Sequence, residues 1–281
     1  MGESKRKKAS GGPANHKRSE LQHLFERLNI DYSKPGFYDD PNFLKEEKNN
    51  QRMLETYGEW ILHRERTPEY DTHVRTTLAK LAPIISARLD RHQWFGGCIA
   101  VSATLTRILE RLGVWNIVMK GSASIYAGAE SRHFAIVDEH EGEGYDTGHQ
   151  WLIAPPYEIV DLTLYYQRWH ATDVIFHSRA PKIVLAEGTD IVRARPQDVI
   201  APALLRQGTA SELQSHLPDQ RRFSSLFPAR RMIVNDLDIR YVPSGMTAPL
   251  EPLEGVNTAR RGGPSAIELW REDVAPAFEV S

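Results

Sequence analysis

One stretch of this chain constrains the rest more than any other. From Cys98 to Leu112, the residues Val101, Leu105, Ile108 and Leu112 recur at helical spacing, Arg107, Glu110 and Arg111 fall outside that stripe, and Gly113 supplies a stop. An amphipathic helix must bury its stripe against another layer, and the residues C-terminal to this one carry a run of strand signals. Val114 to Lys120 is rich in β-branched residues, and His133 to Asp138 is short and apolar. His149 to Ile153 and Tyr157 to Leu162 flank a Pro155-Pro156 turn. Helix followed by meander predicts an α+β fold with the helix packed on an antiparallel sheet.

The 281 residues suffice for one sizeable core with appended segments. Residues 1–19 carry six Lys or Arg and one Glu among Ser, Gly and Pro, a composition that predicts a mobile basic tail. Leu21, Leu24, Phe25 and Leu28 have helical spacing, and helix-like stretches follow at 41–63 and 70–90, so 20–90 reads as a helical extension. The core is expected over 91–190. Past residue 168 the signals weaken to short strands near 182–186, 190–193 and 238–242 and helical patches near 196–216. Residues 191–281 therefore read as a C-terminal extension of mixed structure packed on the core.

Composition narrows the partners. A formal net charge of -2 and a pI near 6.6 exert no global pull toward nucleic acid or acidic lipid. The basic start at Lys5-Arg6-Lys7-Lys8 is not followed by an apolar run, and no later segment reaches membrane-spanning length. The single cysteine excludes an intramolecular disulfide and any multi-cysteine zinc site, which favours a reducing, cytoplasmic setting. No Walker loop, GxGxxG, GxSxG or HExxH is present, so no cofactor is expected.

Thiol chemistry in this chain therefore rests on Cys98. Gly96-Gly97-Cys98 lies just before the helix, where unpaired amides and the helix dipole favour negative charge, and the Cys98 amide itself can serve as an oxyanion donor. Cys98 falls on the face of Val101 and Leu105, so its sulfur points toward the strands. A cysteine on an apolar helix face is also a common small core residue, and both readings stand at this level. A nucleophilic cysteine needs a histidine to take its proton and a third group to orient the ring. His149 begins a strand and shares a face with Trp151 and Ile153, while Asp161 shares a face with Ile159 near the end of the next strand. If Ala154-Pro155-Pro156 is a three-residue loop, Ile153 pairs with Tyr157 and His149 falls directly opposite Asp161. A two-residue loop would break that parity. Gln93 and Trp94, five and four residues before Cys98, are the candidate side-chain donors of an oxyanion hole.

The segment Gly97-Cys98-x5-Thr104-Leu105-x3-Leu109-x3-Gly113-Val114, then Gly121, resembles the nucleophile-helix motif of the transglutaminase-like superfamily. His149-x-Trp151 and Val160-Asp161-Leu162-Thr163 resemble the histidine and aspartate strands of that family. The similarity covers about residues 91–168. It implies a papain-like core with Cys98, His149 and Asp161 as a triad. It also implies chemistry on peptide or side-chain amides through a thioester, with a protein or peptide as the substrate. Crosslinkers, deamidases, peptidases, peptide N-glycanases and noncatalytic members share the fold, so the reaction stays open. An arylamine N-acetyltransferase-like acyl transferase uses the same residue logic. The short His149 to Asp161 interval and the Pro-Pro turn depart from the common pattern.

Other features compete for a role. His133 also starts an apolar strand, but apart from Asp138 within its own run no aspartate follows it at hairpin distance with the right parity. His133, Asp138, His140 and His149 match no familiar metal-ligand spacing. Arg221-Arg222 and Arg230-Arg231 surround Phe223 and Phe227 and read as ordinary surface before they read as a nucleic-acid site. His170 and His177, with Trp169 and Phe176, follow the triad strands and are candidates to line a cleft.

Overall fold

The structure is a computed structural model that describes residues 13–137, 147–207, 219–256 and 265–280. Four helices come first: α1 (Pro13–Leu28), α2 (Pro41–Glu47), α3 (Met53–His63) and α4 (Pro68–His92). They start where local chemistry supplies the missing hydrogen-bond partners. Asp40 accepts from the amides of Asn42 and Phe43 ahead of α2, and Thr67 accepts from Tyr70 ahead of α4, each with proline at the first helical position. Helix α5 (Cys98–Arg111) then leads into β1 (Ile117–Ala127), β2 (Glu130–Phe134), β3 (His149–Ala154) and β4 (Tyr157–Asp161). Short elements come next: α6 (Val174–His177), β5 (Val184–Ala186), β6 (Asp190–Val192) and α7 (Pro202–Arg206). A helix at Gln220–Leu226 precedes the hairpin of β7 (Ala229–Val234) and β8 (Leu237–Thr247).

The eight strands of the described residues belong to one antiparallel sheet in the order β5-β4-β3-β1-β8-β7-β6, with β2 also pairing with β1. Strand alternation separates two apolar layers. Ile117, Met119 and Ile125 of β1, Trp151 of β3 and Ile239 and Tyr241 of β8 pack with Phe25, Phe43, Tyr57 and Trp60 from α1 to α3. Val118, Leu152 and Val160 point the other way and pack with Leu81 and Ile85 of α4, Val101, Leu105 and Ile108 of α5, and Leu269 and Val274 near the C-terminus. The sheet is therefore the middle of three layers, and α5 lies on it as its apolar stripe requires. Each fully buried aliphatic side chain of that stripe contributes about 1.5–3 kcal/mol of apolar burial.

Three sequence expectations need correction. The basic tail does not extend to residue 19, because α1 begins at Pro13 and pairs Lys17 with Glu59 and Arg18 with Glu65. Residues 1–12 lie outside the described residues. The core does not end at 190, since β8 lies directly beside β1 at the centre of the sheet. Pro243 and Gly245 within β8 weaken its strand signal, yet the pairing with β1 tolerates them through a bulge at Lys120/Gly121. The strand expected at His133 to Asp138 instead spans Glu130–Phe134, closed onto β1 by a tight turn at Gly128 (φ +63°). Asp138 and His140, and the end of the helical stretch expected at 196–216, lie outside the described residues.

Candidate active site

The turn before α5 is built for close approach. Gly96 has a φ of +71°, a conformation glycine adopts without penalty, and its N–H donates to the Tyr166 carbonyl at 2.7 Å. A Cβ at Gly96 would sit 2.6 Å from Nε of Arg168, and one at Gly97 would sit 2.7 Å from the Trp94 ring. Both glycines are thus required by what packs on them. Cys98 follows as the first residue of α5, reduced and 7% exposed.

His149 is the first residue of β3, pairing with Gly121. Beyond that point β1 takes β2 as its neighbour, from Ala123 onward, so the imidazole stands at the open end of β3. Gly148, at φ +81°, makes the turn into the strand, and a Cβ there would lie 2.6 Å from the Gly121 carbonyl oxygen. Nε2 of His149 lies 2.6 Å from Oδ2 of Asp161, and both side chains are fully buried. The His149 ring stacks on Trp151 at 6.1 Å with an interplanar angle of 22°.

Asp161 is satisfied on both oxygens. Oδ1 accepts from the Thr163 amide at 2.7 Å and the Thr163 hydroxyl at 2.9 Å, while Oδ2 accepts from His149 and from the Tyr241 hydroxyl at 3.0 Å. Burial alone would push this carboxyl upward, but His149 and the Thr163 hydrogen bonds outweigh it and hold the pKa below the usual carboxylate value. For His149, burial opposes the charged ring, yet the Asp161 carboxylate, its hydrogen bond and the neighbouring Cys98 together push the pKa up to about 10. The thiol is close enough to act on the ring, while Nδ1, the nitrogen Asp161 does not engage, has no hydrogen bond of regular geometry. Nδ1 is thus the ring nitrogen without a partner among the described residues, with Cys98 near enough to act on the ring and Nε2–H directed at the carboxylate.

The register that brings His149 and Asp161 together differs from the expected one. The loop is the two-residue Pro155–Pro156 turn with a cis peptide bond, and Ala154, not Ile153, pairs with Tyr157. Continued unchanged, that register would turn Asp161 to the opposite face from His149. A bulge restores the parity: Glu158 and Ile159 together oppose Ile153, so Leu152 pairs with Val160. Asp161 then falls on the face of Trp151 and meets His149 diagonally rather than directly opposite.

The remaining candidates separate clearly. Gln93 caps α4 in a left-handed conformation (φ +45°) and is exposed. Trp94 is buried beside Gly97, and its indole Nε1 has no hydrogen-bond partner among the described residues. His133 is not brought to Asp161: its Nδ1 lies 2.9 Å from the Ser124 hydroxyl and its Nε2 3.0 Å from that of Ser131, and burial lowers its pKa. Among the described residues, no group of three or more His, Cys, Asp or Glu is placed to hold a metal ion. Arg222 pairs with Glu55, Arg230 with Glu158 and Arg231 with Asp190 and Asp238, while Phe223 and Phe227 are buried, so these five residues are committed within the fold and Arg221 is exposed. None of the described helices is long and apolar enough to cross a membrane.

One site residue lay beyond sequence reasoning. Tyr241 reaches Asp161 from β8, 80 positions away, with no local signal to connect them. No family model, curated protein or solved structure matches the chain.

Proposed function

We propose that this protein is a transglutaminase-like, papain-type cysteine enzyme, a hydrolase or acyl transferase acting on peptide or side-chain amides through a thioester. The observation that carries the reading is the state of His149: Nε2 is held by a fully satisfied Asp161, Nδ1 has no hydrogen-bond partner among the described residues, and Cys98 is near enough to raise the ring's pKa. In that arrangement the proton shared by thiol and ring rests on Nδ1, as a ring pKa near 10 requires at neutral pH, and the sulfur attacks the amide carbonyl. The oxyanion is held by the Cys98 amide, one of the unpaired amides of the first helical turn, with the indole N–H of Trp94 the better supported side-chain donor because Gln93 is exposed. The C–N bond breaks, the leaving amine or ammonia takes the proton from Nδ1, and a thioester remains on Cys98. Attack by water, which gives its proton to Nδ1, releases an acid; attack by an amine releases a new amide. Asp161 fixes the tautomer and stabilises the imidazolium throughout.

The 7% exposure of Cys98 favours a second reading, a noncatalytic binding module with a structural cysteine. Iodoacetamide alkylation followed by peptide mapping separates the two. The enzyme reading expects native Cys98 to react faster than the same cysteine in the unfolded chain below neutral pH, and His149→Ala to remove that advantage. A thiol that reacts only on unfolding, at every pH, assigns the protein to the second class. An acetyl-CoA assay on arylamines tests the N-acetyltransferase-like alternative.

A further inference from the structure

We infer that the open cleft between Phe95 and α6 is a specificity subsite that takes a large apolar or aromatic side chain of the substrate; the inference rests on the enzyme reading above. The cleft, about 600 Å³, is within the size range of small-ligand pockets. It is lined by Phe95, Arg168, Trp169, His170, Val174 and His177, among others.

Three observations carry it. The first is position. Phe95 stands three residues before Cys98, and the segment that bears Trp169 and Val174 is fastened to the same turn, with Gly96 bonded to Tyr166 and packed on Arg168. The cleft thus opens beside the N-terminus of α5. The second is the character of its walls. Val174 is 68% exposed and Phe95 40%, an unusual outlay of apolar surface on two residues that face one cavity. Trp169 and His177 stack at 5.3 Å with an interplanar angle of 18°, and Phe95 meets the His177 edge at 6.0 Å, so the floor is a preformed aromatic surface that needs no ordering when a ring settles on it. The third is charge. Among the described residues no carboxylate lines the cleft, and burial lowers the pKa of His177, favouring its neutral form. An apolar guest is accommodated, while a cationic one finds no carboxylate among the described lining residues to pair with.

The test uses two series of thiol-directed probes, acetylated aminoacyl chloromethyl ketones and N-substituted chloroacetamides, each with a benzyl, a methyl and a 4-aminobutyl group. Every rate of Cys98 modification is divided by the iodoacetamide rate of the same protein. In at least one series the benzyl probe should lead the aminobutyl probe by about tenfold or more, on the order expected for burying one aromatic side chain. Val174→Glu sits on an exposed position and should shift the preference toward the aminobutyl probe, an exchange that a general loss of structure cannot produce; melting temperature checks the fold. Phe95→Ala should reduce the benzyl preference. If both series show equal normalised rates while iodoacetamide still labels native Cys98, the subsite is overturned and the enzyme reading survives. If native Cys98 resists iodoacetamide, both fall.

Discussion

Tyr241 donates its hydroxyl to Oδ2 of Asp161 at 3.0 Å, the same oxygen that holds Nε2 of His149. A strand from the C-terminal third of the chain therefore supports the orienting carboxylate. The hydroxyl is buried, and burial together with Asp161 holds its pKa well above the ordinary tyrosine value, so it acts as a donor throughout the working range.

Tyr241→Phe should accordingly weaken the orientation of Asp161 without emptying the core, since the ring that packs on Trp151 is kept. The expected cost is about 1.5–3 kcal/mol in unfolding free energy, the usual worth of one hydrogen bond to a charged group. Cys98 alkylation should slow but remain measurable. Denaturant titration and alkylation kinetics on the same variant check both halves, and a variant as stable and as reactive as wild type would remove Tyr241 from the site.

The His149–Asp161 pair sets a pH window. His149 has a folded pKa near 10, above its ordinary value of 6.5, so its contribution to stability is complete below about 6.5 and is lost as pH rises through about 10. Asp161 is shifted downward from 3.8, so its contribution is present above that value and is lost as pH falls below it. The stability difference between wild type and Asp161→Asn should be greatest between these limits and shrink on both sides. Urea titrations at a series of pH values measure it; a difference that grows from pH 7 to pH 10 would contradict the assignment.

How far the sequence carries this site depends on the distance over which each signal acts. The stripe of Val101, Leu105 and Ile108 is a local periodicity, so α5 and the place of Cys98 at its start were legible. His149 and Asp161 each sit within a short strand pattern, and their pairing was legible as a hairpin. The geometry of that hairpin was not, because nothing in Glu158-Ile159 marks a bulge, and the two-residue turn alone would have separated the pair. The start of α1 was hidden for a different reason. His16, Lys17 and Arg18 look like tail until α3 and the segment after it supply Glu59 and Glu65 as partners.

Those partners make the start of α1 testable. Deleting residues 2–18 removes the first turns of α1 and both ion pairs, Lys17–Glu59 at 3.1 Å and Arg18–Glu65 at 2.9 Å. Each partly exposed pair contributes about 0.2–1 kcal/mol, so loss of the two should lower stability by about 0.4–2 kcal/mol. A matching drop in melting temperature is expected, with the double substitution Lys17→Ala, Arg18→Ala giving part of it. An unchanged melting temperature for the deletion would return these residues to the tail.

Glu110 ties α5 to the N-terminal segment that carries Tyr38 and should make stability depend on pH in the opposite direction from Asp161. Its carboxyl accepts from the Tyr38 hydroxyl at 2.6 Å and from Arg107 at 3.0 Å. Burial nevertheless dominates these favourable contacts and pushes its pKa up from 4.5 to about 7. A carboxyl raised in the folded state binds its proton more tightly there than in the unfolded chain. Its contribution is therefore greatest below about 4.5, declines as pH rises, and is exhausted above about 7. Glu110→Gln carries no titrating group. Arg107 keeps Asp39 and the carbonyl oxygens of Pro249 and Glu251 as partners, so the substitution does not strand that cation. The stability of Glu110→Gln relative to wild type should thus rise between about pH 4.5 and 7, by at most about 1.4 kcal/mol per pH unit, and stay level above it. Parallel denaturant titrations of the two proteins from pH 4 to 8 measure the slope. A relative stability that falls over that interval would mean that the ionised carboxylate is the form the fold prefers, with Arg107 and Tyr38 outweighing burial.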